Sequence, residues 1–175
     1  MEFEELVKER RSVRSYKEAE VSPDDLKEIV RCALMAPSWK NSETGRYHAA
    51  LSKEAIEAVG DCLPEFNRNR TKNASYIVVS FKKDISGFNE GKPCDPNGNI
   101  WGGYDLGLQN AYLLLKAKEM GYDTLVMGLR DDNRLREILD IPEDEIIMAV
   151  LAIGKRNVDP DLRPRLDVEE ILKIS

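Results

Sequence analysis

Hydrophobic and polar positions along the chain follow two spacings, one typical of helices and one typical of strands. Apolar residues at positions i, i+3 and i+4 predict a short helix over residues 3–10. A longer helix is predicted within residues 21–37, where Ser22 is a suitable N-cap, Pro23 suits the first turn and Pro37 ends the segment. Its apolar stripe consists of Leu26, Ile29, Val30, Ala33 and Leu34.

The longest helical pattern runs from Tyr104 to Met120 and is apolar on several sides. Such a wide apolar face predicts a central helix that is buried against both a sheet and a partner. Gly121 is expected to end this helix, because glycine readily adopts the left-handed conformation found after helix C-termini. Shorter helices are predicted over residues 52–63, 131–141 and, as a short helix or extension, 166–175.

Runs rich in β-branched and aromatic residues predict three strands, over residues 74–81, 123–129 and 145–155. Two segments rich in Gly, Pro, Asn and Ser are predicted as loops, over residues 37–47 and 84–103, and the second is long enough to be a lid. Asp105 follows it and is interpreted as a helix-start residue. Helices and strands are interspersed, so the predicted fold class is α+β (mixed α/β) in a single domain over residues 1–175.

The composition narrows the possible functions. The 175 residues carry a formal net charge of -6, which disfavours general nucleic-acid binding because that function needs a broad basic face. No apolar run approaches a membrane span, and no secretory signal is recognised, so a cytoplasmic location without membrane partners is expected. Three cysteines and one histidine disfavour a disulfide framework, a structural zinc site and most catalytic triads.

Positive charge is nevertheless concentrated in the stretch KERRSVRSY, residues 8–16. Three arginines there surround Ser12, and guanidinium groups beside a hydroxyl are suited to binding a phosphate monoester. The arginines are Arg10, Arg11 and Arg14. A second basic pair, Arg163 and Arg165, flanks Pro164 near the end of the chain. Either cluster could form an anion pocket or a solvated charge run, and the residues alone leave both interpretations open.

The loop that follows the second helix adds polar groups without a nucleophile. Its sequence, APSWKNS at residues 36–42, offers backbone groups and a carboxamide that can bind the edge of a planar heterocycle. This loop and four other stretches resemble the nitroreductase family of FMN-dependent oxidoreductases. The four stretches are RRSVRSY, LLLKAKEMGYDTLVMG, LREILDIPEDEIIMAVLAIGK and RPRLDVEEIL. The resemblance extends in register over residues 3–172.

The resemblance implies a central, mainly antiparallel sheet of few strands between helical layers, in an intertwined homodimer. It also implies an FMN site: Arg10 and Ser12 on the phosphate with Arg11 nearby, Arg14 at the pyrimidine edge, and the pair Arg163 and Arg165 again on the phosphate. The other subunit would contribute Pro37, Ser38, Trp39 and Asn41. The backbone of Met127 and Gly128 would approach the N5 face, since a main chain approaches a flat ring most closely where no side chain intervenes.

One further flavin contact is expected from the stretch FNRNRTKNASY, residues 66–76. Arg68 and Arg70 remain candidates, and we favour Lys72 and Asn73. Each of the two tryptophans has two interpretations. Trp39 either contacts the cofactor or packs in the dimer interface. Trp101 either anchors a loop or lines the substrate pocket.

The implied activity takes a hydride from NADH or NADPH onto the flavin and passes electrons to a nitroaromatic, a quinone or a similar small acceptor by a ping-pong mechanism. The cofactor then carries the chemistry, which is consistent with the lack of catalytic His or Cys constellations. Where the family often has Gln-Pro-Trp, this chain has Glu43, Thr44 and Gly45, and its short length predicts a trimmed lid. Reductive dehalogenation, flavin destruction and non-catalytic FMN binding therefore stay open as alternatives.

Overall fold

A four-stranded sheet with helices on both faces dominates the computed structural model, which describes residues 2–175. The helices are α1 (Phe3–Glu9), α2 (Pro23–Ala33), α3 (Lys53–Gly60), α4 (Glu65–Arg70), α5 (Ile100–Glu119), α6 (Asp132–Leu139) and α7 (Val168–Ile171). The strands are β1 (Gly45–Ala50), β2 (Ser75–Lys82), β3 (Phe88–Asn89), β4 (Lys92–Pro93), β5 (Asp123–Met127) and β6 (Glu145–Gly154). A single turn of 3-10 helix spans Trp39–Asn41.

The main sheet has the strand order β1-β2-β6-β5, and all of its neighbouring strands are antiparallel. Strands β3 and β4 form a separate small hairpin. The predicted strands β2, β5 and β6 are confirmed, as is the α+β class. Strand β1 was missed because it lies at the sheet edge and carries Arg46 and His48, which interrupt the apolar pattern on which strand prediction relies.

Adjacent residues of β2 point to two different hydrophobic cores. Ile77 packs with residues of α2 and α5, such as Leu113, on one face of the sheet. Val78 packs with residues of α3 and α6, such as Leu135, on the other face. Period-two alternation along the central strands therefore builds three layers, as the family resemblance implied.

Helix α5 begins at Ile100, four residues before its predicted start. The two glycines in this first turn had suggested a loop, but Gly102 is needed for packing, because a Cβ there would overlap the Phe81 ring. Asp105 therefore lies inside the helix and is buried, so its interpretation as a helix-start residue is wrong. Gly121 has a φ of +77° just after the helix, as expected.

The segment 84–99, here called the hairpin segment, replaces the long predicted loop and contains β3 and β4. Helix α4 was also missed, because its sequence EFNRNR has no apolar stripe. Helix α2 agrees closely with prediction, since the Ser22 hydroxyl accepts hydrogen bonds from the backbone N–H groups of Asp24 and Asp25. Within residues 2–175, every helix is too short or too polar to cross a bilayer.

Candidate functional site

The arginine stretch follows α1 and runs along the open edge of the sheet beside β5. The backbone N–H of Val13 donates to the Thr124 carbonyl at 3.0 Å, and Lys17 N–H donates to the Lys155 carbonyl at 2.8 Å. Val13 is buried, whereas Ser12 and Arg14 are exposed. Extended backbone places alternate side chains on opposite sides, so anchoring Val13 in the core presents Ser12 and Arg14 to the solvent.

Arg165, from the second basic pair, influences the first cluster electrostatically. Burial lowers the pKa of the half-buried Arg10 guanidinium, and the positive charges of Arg165 and Arg11 lower that pKa further. Arg165 therefore acts electrostatically on Arg10, although the two residues come from opposite ends of the chain. One member of the second basic pair thus adds positive charge to the first cluster.

These guanidinium groups lack acidic partners even though the protein is acidic. Among residues 2–175, no carboxylate lies within 4.0 Å of the guanidinium nitrogens of Arg10, Arg11, Arg14, Arg163 or Arg165. By contrast, Arg31 pairs with Glu28 at 2.7 Å. Arg11 and Arg14 each donate to a backbone carbonyl, of Arg10 and Ser12, but their charges stay available to an anion. The lack of carboxylate partners favours the anion pocket over a solvated charge run.

The loop Pro37–Asn41 and the two residues after it have an unusual backbone. Lys40, Asn41 and Glu43 all have left-handed φ values, of 48°, 55° and 47°. Residues other than glycine rarely adopt this conformation, which costs about 1 kcal/mol or more each and is concentrated at functional sites. The segment is thus a candidate ligand-binding element on the geometry of its backbone alone.

Internal hydrogen bonds of this loop leave two polar groups available. The Ser38 hydroxyl accepts from the Glu43 N–H at 3.1 Å, so its own proton is free to be donated. The Asn41 amide donates to a Glu43 carboxylate oxygen at 3.3 Å, which leaves the Asn41 carbonyl oxygen free to accept. Glu43, the departure from the family pattern, therefore stabilises the loop that the resemblance assigns to the cofactor.

Gly128 lies just beyond β5 and provides open space. A Cβ built there would have no atom within 4 Å, while the neighbouring Met127 is buried. Leu129 is 62% exposed beside it. Packing within the chain therefore does not require a glycine at this position, and a flat ligand could approach the backbone here, as a flavin would.

Lys72 and Asn73 lie in a different place from the arginines. Both line a cleft of about 870 Å³ between α3, α4 and the start of β2, and none of the five clustered arginines lines it. The Asn73 amide donates to the Tyr16 carbonyl at 3.3 Å, so it helps to fix the backbone at the end of the arginine stretch. Their direct contact with a cofactor stays a prediction.

The two remaining candidates of this stretch differ in their partners. Arg68 forms an ion pair with Asp61, which occupies its guanidinium. Arg70 lies over the exposed Phe66 ring, 5.7 Å from its centroid, and no carboxylate of residues 2–175 pairs with it. Of these two arginines, Arg70 is the one whose charge is free for a ligand.

The two tryptophans contact each other, with ring centroids 5.0 Å apart. The Trp101 indole N–H donates to the Asp95 carboxylate at 2.7 Å, which fits the loop-anchor interpretation. The Trp39 backbone N–H donates to Asp105 at 2.9 Å. Sequence reasoning missed the role of Asp105, and the available signal was an acidic residue in the apolar N-terminal half of α5, far from Glu119 at the other end.

The arginine stretch and the Pro37–Asn41 loop stay separate within one chain. No hydrogen bond or ion pair joins residues 10–14 to residues 37–41 in the part of the chain that the structure describes. That the loop of a second subunit joins the arginine stretch in one site, as the resemblance implies, stays a prediction. The described residues also contain no cluster of three or more His, Cys, Asp or Glu side chains that could hold a metal ion.

An antiparallel sheet between two helical layers, with an arginine-rich stretch along one edge of the sheet, defines the general class of this protein as an α+β fold. The chain belongs to the nitroreductase family, whose model matches residues 7–155. The sequence-based family assignment is thus confirmed. The match ends before Arg163 and Arg165, so the roles of that pair rest on the resemblance and on the proximity of Arg165 to Arg10.

Known proteins resemble the chain over most of its length. A protein of Archaeoglobus fulgidus assigned as an NADH dehydrogenase/NAD(P)H nitroreductase is 25% identical over 153 residues, which are 85% of this chain and 82% of the relative. A crystal structure described as an oxidoreductase containing FMN is 28% identical, with a TM-score of 0.75 over 90% of this chain and 79% of that one. A nitroreductase from Exiguobacterium sibiricum, solved in complex with FMN, has a TM-score of 0.88 at 21% identity and covers 100% of this chain and 98% of its own.

The anion pocket predicts that phosphate stabilises the protein. Inorganic phosphate at about ten times its dissociation constant should add about 1.4 kcal/mol to the free energy of unfolding, because the ligand binds only the folded state. The gain should disappear in the double variant Arg10→Ala/Arg165→Ala and persist in Arg31→Ala, whose arginine is already paired. Urea denaturation with phosphate, and with sodium chloride at the same ionic strength, measures the effect. Equal stabilisation of all three proteins would contradict an anion pocket at Arg10 and Arg165.

Proposed function

We propose that this protein is an FMN-dependent NAD(P)H oxidoreductase. The observation that carries the proposal is that five arginines have no carboxylate partner among residues 2–175, and that the charge of Arg165 acts on Arg10. A phosphate monoester supplies the negative charge that such a cluster lacks. The FMN named in two structurally similar proteins is a ligand with that group.

Different residues would bind different parts of the cofactor. Arg10, Ser12 and Arg165 would hold the phosphate, with Arg11 and Arg163 adding positive charge around it. The open backbone at Met127 and Gly128 would lie against the ring. The Pro37–Asn41 loop of the second subunit would offer the Ser38 proton and the Asn41 carbonyl oxygen, the two groups that its internal hydrogen bonds leave free.

When bound, FMN would supply the redox chemistry, accepting a hydride from NADH or NADPH and passing electrons to an acceptor such as a nitroaromatic or a quinone in a ping-pong cycle. The chain's own contribution would be electrostatic. Within residues 2–175 the Arg14 guanidinium donates to the Ser12 carbonyl alone, at 3.0 Å, so its charge is available to stabilise negative charge at the pyrimidine edge. No acid–base side chain is needed for this role.

A homodimer is part of the proposal. On α5, Tyr104 is 58% exposed, and a Cβ at Gly107 would meet nothing within 4 Å. An exposed glycine inside a helix costs about 0.5–1 kcal/mol relative to alanine, so its presence is explained by a second helix that packs closely against it. Residues 161–175 are all exposed, with Ile171 at 70%, and would be buried by wrapping around the second subunit.

The alternatives concern the same fold with another flavin reaction, or a flavin binder without catalysis. The Glu43 carboxylate had suggested an altered substrate site. Because it accepts from Asn41 within the loop, its observed role is to hold the loop, and it does not by itself favour dehalogenation or flavin destruction. The nicotinamide reaction therefore stays the leading proposal.

Reduction by a nicotinamide tests the catalytic part of this proposal. Protein loaded with FMN should be yellow, and stoichiometric NADH or NADPH added without oxygen should bleach it within the mixing and observation time of a stopped-flow spectrometer. Reoxidation by menadione or a nitroaromatic should restore the colour. A yellow protein that neither nicotinamide bleaches would point to the non-catalytic binder, and a protein that cannot take up FMN would refute the proposal as a whole.

The dimer interface can be tested at Gly107. Gly107→Leu should leave the fold of each subunit intact, because the position faces open space, but should shift sedimentation from dimer towards monomer. Glu57→Leu places the same side chain on the exposed surface of α3 and serves as the control. If Gly107→Leu sediments like the parent protein across micromolar concentrations, α5 is not the interface.

A further inference from the structure

Asp105 is an acidic residue buried in the middle of the molecule, with 2% of its surface exposed. Its Oδ2 atom accepts two hydrogen bonds, from the Trp39 N–H at 2.9 Å and from the Ser86 hydroxyl at 2.5 Å. No Lys, Arg or His side chain of residues 2–175 pairs with it. A buried carboxylate without a cation is costly unless its hydrogen bonds compensate, so these two bonds carry its stabilisation.

The two donors belong to different segments. Trp39 opens the 3-10 turn of the Pro37–Asn41 loop, and Ser86 lies in the hairpin segment 84–99. One carboxylate on the rigid helix α5 thus holds the loop from one side and the hairpin from the other. Neutral hydroxyl or amide acceptors would make weaker bonds to both donors, because hydrogen bonds to a charged acceptor are about twice as strong.

Further contacts join the same two segments. The Lys40 ammonium group donates to the Asn89 side-chain oxygen at 3.0 Å, which links the middle of the loop to the tip of the hairpin. The Trp101 indole N–H donates to Asp95 on the far arm of the hairpin segment. The loop therefore contacts the hairpin segment directly through Lys40, and α5 holds the hairpin segment a second time through Trp101.

Aromatic packing fills the space between these hydrogen bonds. The Trp39 and Trp101 rings lie 5.0 Å apart. Gly87, with a φ of +80°, lets the hairpin backbone lie directly on Trp101, where a Cβ would come within 2.7 Å of the ring. The strained backbone at Lys40 and Asn41 requires surrounding structure to hold it, and this packing supplies that structure.

We propose that Asp105 is a positioning residue that fixes the Pro37–Asn41 loop and the hairpin segment in one arrangement, so that the hairpin segment forms a wall of the space that the electron acceptor enters. The proposal rests on the proposed function for the identity of the ligands. It assigns separate effects to the two hydrogen bonds. The bond to Trp39 governs the loop that contacts the cofactor, and the bond to Ser86 governs the wall that contacts the acceptor.

The first test uses the protein without cofactor, so that it is independent of the proposed activity. The chain has two tryptophans, and both lie in this contact, so near-ultraviolet circular dichroism reports the geometry of the pair. Asp105→Asn should reduce that signal and increase the rate of proteolysis within residues 84–99 by about fivefold, while the far-ultraviolet spectrum is unchanged. The control is Asp25→Asn, which weakens a comparable bond from the Tyr122 hydroxyl, at 2.6 Å, far from the loop.

The second test separates the two hydrogen bonds in the FMN-loaded protein. Ser86→Ala should raise KM for a quinone acceptor about fivefold while the dissociation constant of FMN changes less than about twofold. Asp105→Asn should raise both quantities, each by about fivefold or more, because it weakens both bonds.

Three results would overturn the proposal. One is unchanged proteolysis and near-ultraviolet dichroism in Asp105→Asn, a second is equal effects in Asp25→Asn, and a third is an effect of Ser86→Ala on FMN affinity as large as its effect on KM. If the parent protein binds no FMN or is not reduced by nicotinamides, the proposed function fails. The cofactor-free measurements then still decide whether Asp105 holds the two segments together.

Discussion

Positive charge around Arg10 that no carboxylate of residues 2–175 neutralises is the constraint on which the candidate site depends. Burial and the positive charges of Arg165 and Arg11 lower the pKa of Arg10, and no carboxylate among residues 2–175 pairs with any of these three arginines. The stretch that carries Arg10 and Arg11 is held in place by Val13, which is buried in the core and donates its N–H to the carbonyl of Thr124 in β5. An anion that binds there would stabilise the fold, because it neutralises this positive charge. The edge of the sheet is therefore suited to a phosphorylated cofactor.

Helix α5 contacts the core, the Pro37–Asn41 loop and the hairpin segment, and so positions them relative to one another. Gly102 allows the helix to lie directly on Phe81, and Asp105 holds the loop and the hairpin segment above it. Gly107 leaves the outer face open for a second subunit under the proposed dimer. One helix therefore contributes to the core, to the candidate cofactor loop and to the proposed interface, which explains why its sequence departs from a simple amphipathic pattern.

The sequence predicted those elements whose signal is local. Strands β2, β5 and β6 are largely buried and are therefore almost continuously apolar, and α2 carries its cap and its stripe in the sequence itself. Strand β1 and helix α4 were missed because edge and surface elements carry charged residues. The arginine residues were recognised from their type, but the approach of Arg165 to Arg10 depends on tertiary structure, and so does the burial of Asp105 among segments far away in sequence.

The central claim is that the arginine cluster binds the phosphate of FMN, and a comparison of FMN with riboflavin tests it most directly. Isothermal titration of the cofactor-free protein should give an FMN affinity at least about a hundredfold higher than that for riboflavin, which is about 2.8 kcal/mol and within the range of a few charge-assisted contacts. The difference should shrink as salt is added, because the contacts are electrostatic. Equal affinities for FMN and riboflavin would contradict this account of the site.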